Sequence, residues 1–330
     1  MTTDHADAVA AYGFTRRQAT FLTTVMLHSG VCLPRQYTRF AGIVFGHTTR
    51  EFFARLTAKK FATAYECWRR GGTYYHVHHK GLYAAIGEPD NRNRRRPTVP
   101  RTAERLMLLD VVLSEPQMHW LATEREKQAF FVTERKLGHE KLPALVFEQG
   151  GIQTVRYFPD KLPIAVGPLG EPTFVYLVTD ADQVGVQRFI VKHLDLLRSL
   201  HRCAVRLVFP AFLVAGQTRQ TKAVESFFAP PLRPVIFEEF RWFCGARRAI
   251  EQPSAAALAV DRQRYSRARR AFSSPWFYFA YRSWLRQGDS ALDRLRSPSL
   301  NDAWRSGAIR LETQVLSHQY LHLASSVETA

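Results

Sequence analysis

The sequence predicts an α+β fold: an N-terminal winged helix-turn-helix, then an α/β domain, then a helical, basic C-terminal tail. Three observations carry this. Helical periodicity fills residues 15–60 in three short segments, then gives way to strand-like alternation over 61–79 around Gly71-Gly72. From Leu142 the chain turns strand-like and is cut by Gly and Pro up to Pro172, before a helical segment and a long apolar run. Beyond residue 260, Arg and aromatic side chains dominate two helical segments.

Thr15 to Ser29 reads as a helix with Phe21, Leu22, Val25 and Met26 on its apolar face. Gly30 breaks it, and Leu33 to Ile43 forms a second helix with Pro34 at its start. Gly46 and His47 make a turn, and Thr48 or Thr49 caps a third helix, TREFFARLTAKK. The segments FATAYECW and TYYHVHH then form a hairpin with Arg69 and Arg70 at its tip, the wing. Residues 1–86 are thus one DNA-binding module and residues 87–102, GEPDNRNRRRPTVPRT, an extended basic linker.

Residues 103–220 follow as the α/β domain. AERLMLLDVVLS and WLATEREKQAFF read as helices. Residues 142–180 hold three or four strands, with turns at Gly150-Gly151 and at Gly167 to Pro172. Gly185 to Leu200 is an amphipathic helix, and CAVRLVFPAFLV a buried strand. Residues 221–330 form the C-terminal region, in which RQRYSRARRAF is a basic helix and WFYFAYRSWLRQ an aromatic one.

The net charge of +17 points to a polyanionic partner. Its distribution favours nucleic acid. Residues 1–110 carry 17 Lys/Arg against 8 Asp/Glu, residues 111–240 carry 15 against 14, and residues 241–330 carry 14 against 7. No amphipathic Lys-rich anchor, lipidation motif or apolar run of about 20 residues suggests a membrane. The acidic N-terminus lacks the regions of a signal peptide, and the four scattered cysteines fit reduced thiols, so a cytoplasmic location is expected.

Double-stranded DNA is the expected partner. On the third helix, Thr48, Thr49, Arg50 and Arg55 are expected to face the major groove, with Lys59 and Lys60 at its end. Arg69 and Arg70 in the wing and Arg92, Arg94, Arg95 and Arg96 in the linker would meet phosphates. Arg264 and Arg267 on the basic helix offer a second contact. Each has a plainer alternative: a protein-binding module, a solvated linker, an ordinary charged helix face. His76 and His78 share one strand face and could chelate a metal, but no third ligand is near in sequence, so no metal site is assigned. The aromatic run from Trp276 to Trp284 fits base stacking, core, or a homodimer or partner interface.

Within residues 14–210 lie a basic winged helix, a helical connector, Pro159-Asp160, a β-turn, the strand FVYLVTD ending at Asp180, and an amphipathic helix with Lys192. This order resembles the replication-relaxation family of bacterial mobile-element proteins. The resemblance implies a restriction-endonuclease-like core in which Asp160, Asp180 and Lys192 would be catalytic. Such a core would use Mg²⁺ to polarise a phosphodiester; otherwise no cofactor is expected. The sequence departs from that pattern: Val178 stands where a mid-strand Glu is expected, and no Lys lies two residues beyond either candidate acid. For Asp160 the alternative is a turn residue after proline. P-loop, Gly-x-Gly-x-x-Gly and serine-hydrolase signatures do not occur. The expected function is sequence-specific DNA binding in regulation, replication or transfer of a mobile element. The alternatives are a metal-dependent nickase or relaxase and a DNA-bound scaffolding subunit.

Overall fold

A computed structural model describes residues 3–66, 72–149, 152–252, 260–295, 297–318 and 320. The fold is α+β, as the sequence predicts, and its larger sheet is mixed. The N-terminal module runs α1 (Thr3–Ala10), α2 (Arg16–His28), β1 (Val31–Cys32), α3 (Pro34–Ala41), α4 (His47–Ala58), β2 (Ala62–Glu66), β3 (Thr73–Val77) and α5 (Lys80–Ala85). Local chemistry sets these bounds. The Thr15 hydroxyl accepts from the Gln18 amide and Gln18 returns a bond to the Thr15 amide, closing a capping box at the start of α2. Pro34 opens α3, and Gly42 closes it in the left-handed conformation at φ 63°. The three strands form one antiparallel sheet in the order β1-β3-β2. Phe21, Val25, Tyr37, Phe52, Phe53 and Leu56 fill the core between helices and sheet.

The segment after α5 is not an extended linker. It folds back on α2 through Asn93, which is buried. The Asn93 side-chain amide donates to the Met26 and Leu27 carbonyls at 3.0 and 3.1 Å, two of the carbonyls a helix end leaves unpaired. Its own carbonyl lies 3.0 Å from His76 Nε2. Gly30 is required here: a Cβ would stand 2.3 Å from the Asn93 carbonyl oxygen. A helix, α6 (Val99–Ser114), then begins inside the range expected for the linker.

The second domain contains β4 (His119–Leu121), α7 (Glu124–Gln128) with a wider helical turn at Ala129–Glu134, β5 (Ala144–Gln149), β6 (Ile152–Tyr157), β7 (Ile164–Val166), β8 (Pro172–Leu177), α8 (Val184–Ser199) and β9 (Cys203–Pro210). There follow α9 (Gln217–Phe228), α10 (Pro234–Glu251), α11 (Arg262–Ala271), α12 (Pro275–Gln287), α13 (Asp289–Leu295), α14 (Pro298–Arg305) and β10 (Ile309–Leu316). The sheet order is β10-β9-β8-β7-β4, with β8, β9 and β10 parallel and β7 antiparallel to both its neighbours.

Strand periodicity shares this sheet between two layers of helix. On one face, Val175, Leu177, Val208 and Leu316 pack with Leu106 and Met107 of α6. On the other, Phe174, Val205, Leu207 and Phe209 pack with Phe189, Ile190 and Leu194 of α8. Helix α6 also meets α2, β1 and α3, so it is the wall shared by module and domain. Arg35 of α3 forks onto the buried carboxylate of Asp110 at 2.9 and 2.7 Å, and the Tyr320 hydroxyl donates to the same carboxylate.

Two expectations are corrected. Residues 221–330 are not a separate tail, and a boundary at residue 220 would cut α9. The long segment from α9 to α14 packs on the domain core, and β10 supplies the edge strand of its sheet. Trp120 and Leu121, expected in a helix, lie instead in β4, where they pair with β7.

Candidate functional site

Two places gather the residues singled out by sequence: the outer face of α4 and the turn at Asp160. Helix α4 starts at His47 with Gly46 as its cap, ahead of the expected cap at Thr48 or Thr49. That start fixes its phase. Thr49, Phe52, Phe53 and Leu56 point into the core. His47, Thr48, Arg50, Glu51, Ala54 and Ala58 face solvent. Arg50 extends from this face with its guanidinium 5.7 Å from the Phe45 ring centroid. Val44 and Phe45 form an exposed apolar tip between α3 and α4. Lys59 and Lys60 are exposed just beyond the helix end.

Two of the expected contact residues are excluded from this face. Thr49 is fully buried. Arg55 donates to the Gly13 carbonyl at 2.8 Å and pairs with Glu51 at 3.6 Å, so it holds the turn before α2. Arg69 and Arg70 lie outside the described residues. In the segment expected to track phosphates, Arg94 donates to the carbonyls of His78 and Pro89 and serves the fold. Arg96 lies 4.3 Å from the Tyr65 ring centroid, beside the hairpin, and Arg92 and Arg95 are exposed. On α11, Arg264 is committed to Glu239 through three hydrogen bonds and stacks 3.9 Å from the Trp242 ring centroid. That pairing holds the Glu239 carboxyl below the usual carboxylate range. Arg267 is exposed.

The three histidines of β3 and its end are occupied locally. His76 faces the Asn93 carbonyl, His78 Nε2 lies 2.9 Å from the Thr63 hydroxyl, and His79 Nδ1 accepts from the Leu82 amide. The aromatic run in α12 belongs to the core except for Tyr278, which is exposed. Trp276 and Tyr281 are buried, and Phe277, Phe279 and Trp284 pack against the same cluster.

Asp160 sits in a tight turn between β6 and β7. Phe158 and Lys161 flank it with φ of 49° and 58°, left-handed values that cost free energy for non-glycine residues. One carboxylate oxygen of Asp160 accepts from the Leu162 amide at 3.1 Å, the contact expected of a turn residue. The other, Oδ2, points inward, 3.6 Å from Nε2 of the buried His193. His193 Nδ1 lies 2.9 Å from the Phe189 carbonyl, which only accepts, so Nδ1 carries a proton. Nε2 is the ring nitrogen that faces Asp160, beyond hydrogen-bond distance. Burial lowers the His193 pKa, and Asp160 opposes the shift.

Lys127, which sequence reasoning missed, is 2% exposed and donates to the Leu162 carbonyl at 2.6 Å. Burial pushes its pKa down to about 8, again opposed by Asp160. The other two expected catalytic residues lie in different surroundings. Asp180 is exposed in the loop after β8, and Lys192 is exposed on α8, next to the inward His193. Among the described residues, no three His, Cys, Asp or Glu side chains gather as metal ligands. Among the described residues the one titratable group within 4.0 Å of the Asp160 carboxylate is His193, and a lone carboxylate beside a histidine does not fit Mg²⁺. Comparison with protein-family models, with curated proteins and with solved structures gives no match to this chain.

Proposed function

We propose that the N-terminal module is a winged helix-turn-helix and that the chain binds double-stranded DNA sequence-specifically. The observation that carries this reading is the outer face of α4. It is a regular helix, unobstructed by the rest of the described chain, that presents Thr48, Arg50 and Glu51 to solvent beside the β2–β3 hairpin. A helix so placed fits a major groove, where Arg reads guanine and Glu accepts from cytosine. Lys59, Lys60, Arg95 and Arg96 supply phosphate contacts around it. A role in regulation, replication or transfer of a mobile element rests on the resemblance of residues 14–210.

The experiment is selection from randomised duplex DNA by the full chain, followed by binding of the enriched and of a scrambled duplex across a salt series. Enrichment of a defined site, lost in Arg50→Ala while weak binding to the scrambled duplex persists, supports the reading. No enrichment, or equal enrichment by Arg50→Ala, sinks it.

A second reading, a DNA nickase, is favoured by one observation. Asp160 lies in the turn between β6 and β7, in a domain whose mixed sheet has α6 on one face and α8 on the other, and the resemblance implies catalysis at such an α/β core. Nicking of supercoiled plasmid with Mg²⁺ or Mn²⁺, compared with Asp160→Ala, tests it. No nicking by the wild type rules it out under those conditions.

A further inference from the structure

A cleft of about 450 Å³ opens between residues 87–93 and the Asp160 turn. Its volume suits a small phosphorylated molecule or one nucleotide unit. Lys127 lines it, although almost no surface of that side chain reaches solvent. Arg92 and Lys161 line the same cleft from exposed positions. Among the described residues, none of the three has a carboxylate within 4.0 Å, and the one hydrogen bond of the Lys127 ammonium goes to a backbone carbonyl. Buried charges are ordinarily paired, because an ammonium taken from water without a counter-ion is costly.

We propose that this cleft binds the phosphate group of a nucleotide-sized ligand, with Lys127 as its floor and Arg92 and Lys161 as its rim. A phosphate supplies the missing counter-charge and enough acceptor oxygens for all three cations, and the Arg92 fork can take two of them. The local electrostatics agree. Desolvation lowers the pKa of each cation, Arg92 to about 10 and Lys127 to about 8, and Arg92 further depresses both lysines by repulsion. Of the nearby acids, Asp90 lines the cleft from an exposed position with, among the described residues, no cation within 4.0 Å, and the others are engaged elsewhere. Glu124 accepts from the Tyr157 amide and pairs with Arg156, Glu88 accepts from Asn91, and Asp160 faces His193. Lys161, at φ 58°, closes the turn by donating its amide to the Phe158 carbonyl at 3.0 Å, and its side chain lines the cleft. The site uses no residue of α4, so it stands or falls apart from the DNA reading.

The test is calorimetric titration and thermal unfolding of the full chain with inorganic phosphate, adenosine monophosphate, and a short single strand bearing either a 5′-phosphate or a 5′-hydroxyl. Sodium chloride at matched ionic strength is the control. Saturable binding of phosphate is expected, weakened roughly tenfold or more in Arg92→Ala, which removes the two-pronged contact, and in Lys161→Ala, which removes one charge-assisted bond. Lys127→Met keeps the volume of the buried stem and is expected to abolish the response while unfolding as cooperatively as the wild type. Tighter binding of the monophosphate than of phosphate assigns a free nucleotide. Preference for the 5′-phosphorylated strand assigns a nucleic-acid end. A response reproduced by chloride, an equal response in Arg92→Ala and Lys161→Ala, or no response to any probe overturns the proposal.

Discussion

The N-terminal module and the second domain both carry cations, but they hold them in opposite ways. On α4 and just beyond it, Arg50, Lys59 and Lys60 stand in solvent, where a charge is cheap, hydrated and screened by salt. In the second domain, Lys127 and His193 are buried, and burial lowers the pKa of each. The difference teaches that a positive net charge is not one property. An exposed cation is available to any polyanion at long range. A buried one acts only on what enters its own cavity, and its cost is built into the stability of the fold.

The largest effect is expected where the two regions meet. Asp110→Ala strands the Arg35 guanidinium and removes the acceptor for Tyr320, and should lower unfolding free energy by about 3–5 kcal/mol, measured by urea denaturation. A single transition in the wild type is expected, because α6 lies in both cores; two separated transitions would break the picture of one coupled unit. Next comes Lys127. Its folded pKa of about 8 lies below the 10.5 of the free group, so between these values the unfolded chain binds more protons. Stability therefore rises with pH across that window, by on the order of 3 kcal/mol relative to Lys127→Met, whose profile lacks the rise. Parallel profiles for the two proteins would show that Lys127 titrates as an exposed lysine does.

The exposed side gives smaller numbers. Arg50→Ala should cost about 1–3 kcal/mol on the selected duplex and much less on a scrambled one. The smallest contrast is between two neighbours on α11. If this helix touches phosphate, Arg267→Ala should reduce the slope of log affinity against log salt by about 1, whereas Arg264→Ala should leave it unchanged. A reversed result would mean that the Arg264–Glu239 pair opens when DNA binds.

Local structure was legible in the sequence and long-range structure was not. Gly30 and Pro34 mark helix ends through local chemistry and read as such, whereas the sequence carries the second helix to Ile43, through the Gly42 that closes it. The phase of α4 was missed because Gly46, not a threonine, is its cap, and that error put buried Thr49 on the surface. The arginines at 92–96 read as a free charge run because nothing local reveals that Asn93 closes the end of α2. Lys127 gave no signal at all: in EREKQ it looks like one more exposed helix charge, and only the turn around Leu162 buries it. At the candidate catalytic site, Asp160 was found through its Pro-Asp turn. Its inward partner proved to be His193, one position from the residue that the resemblance selected.

The placement of β10 has a consequence for how the chain is made. Its register pairs Ile309 with Cys203 and Leu316 with Pro210, across a gap of 106 residues. On the ribosome, β9 emerges long before its edge partner exists, while the N-terminal module has every strand it needs within its first 77 residues. The module can therefore fold during synthesis, and the second domain must wait with one side of β9 unpaired. That bare strand is a window for misassembly, and so high a contact order makes the final docking of β10 a slow step of folding.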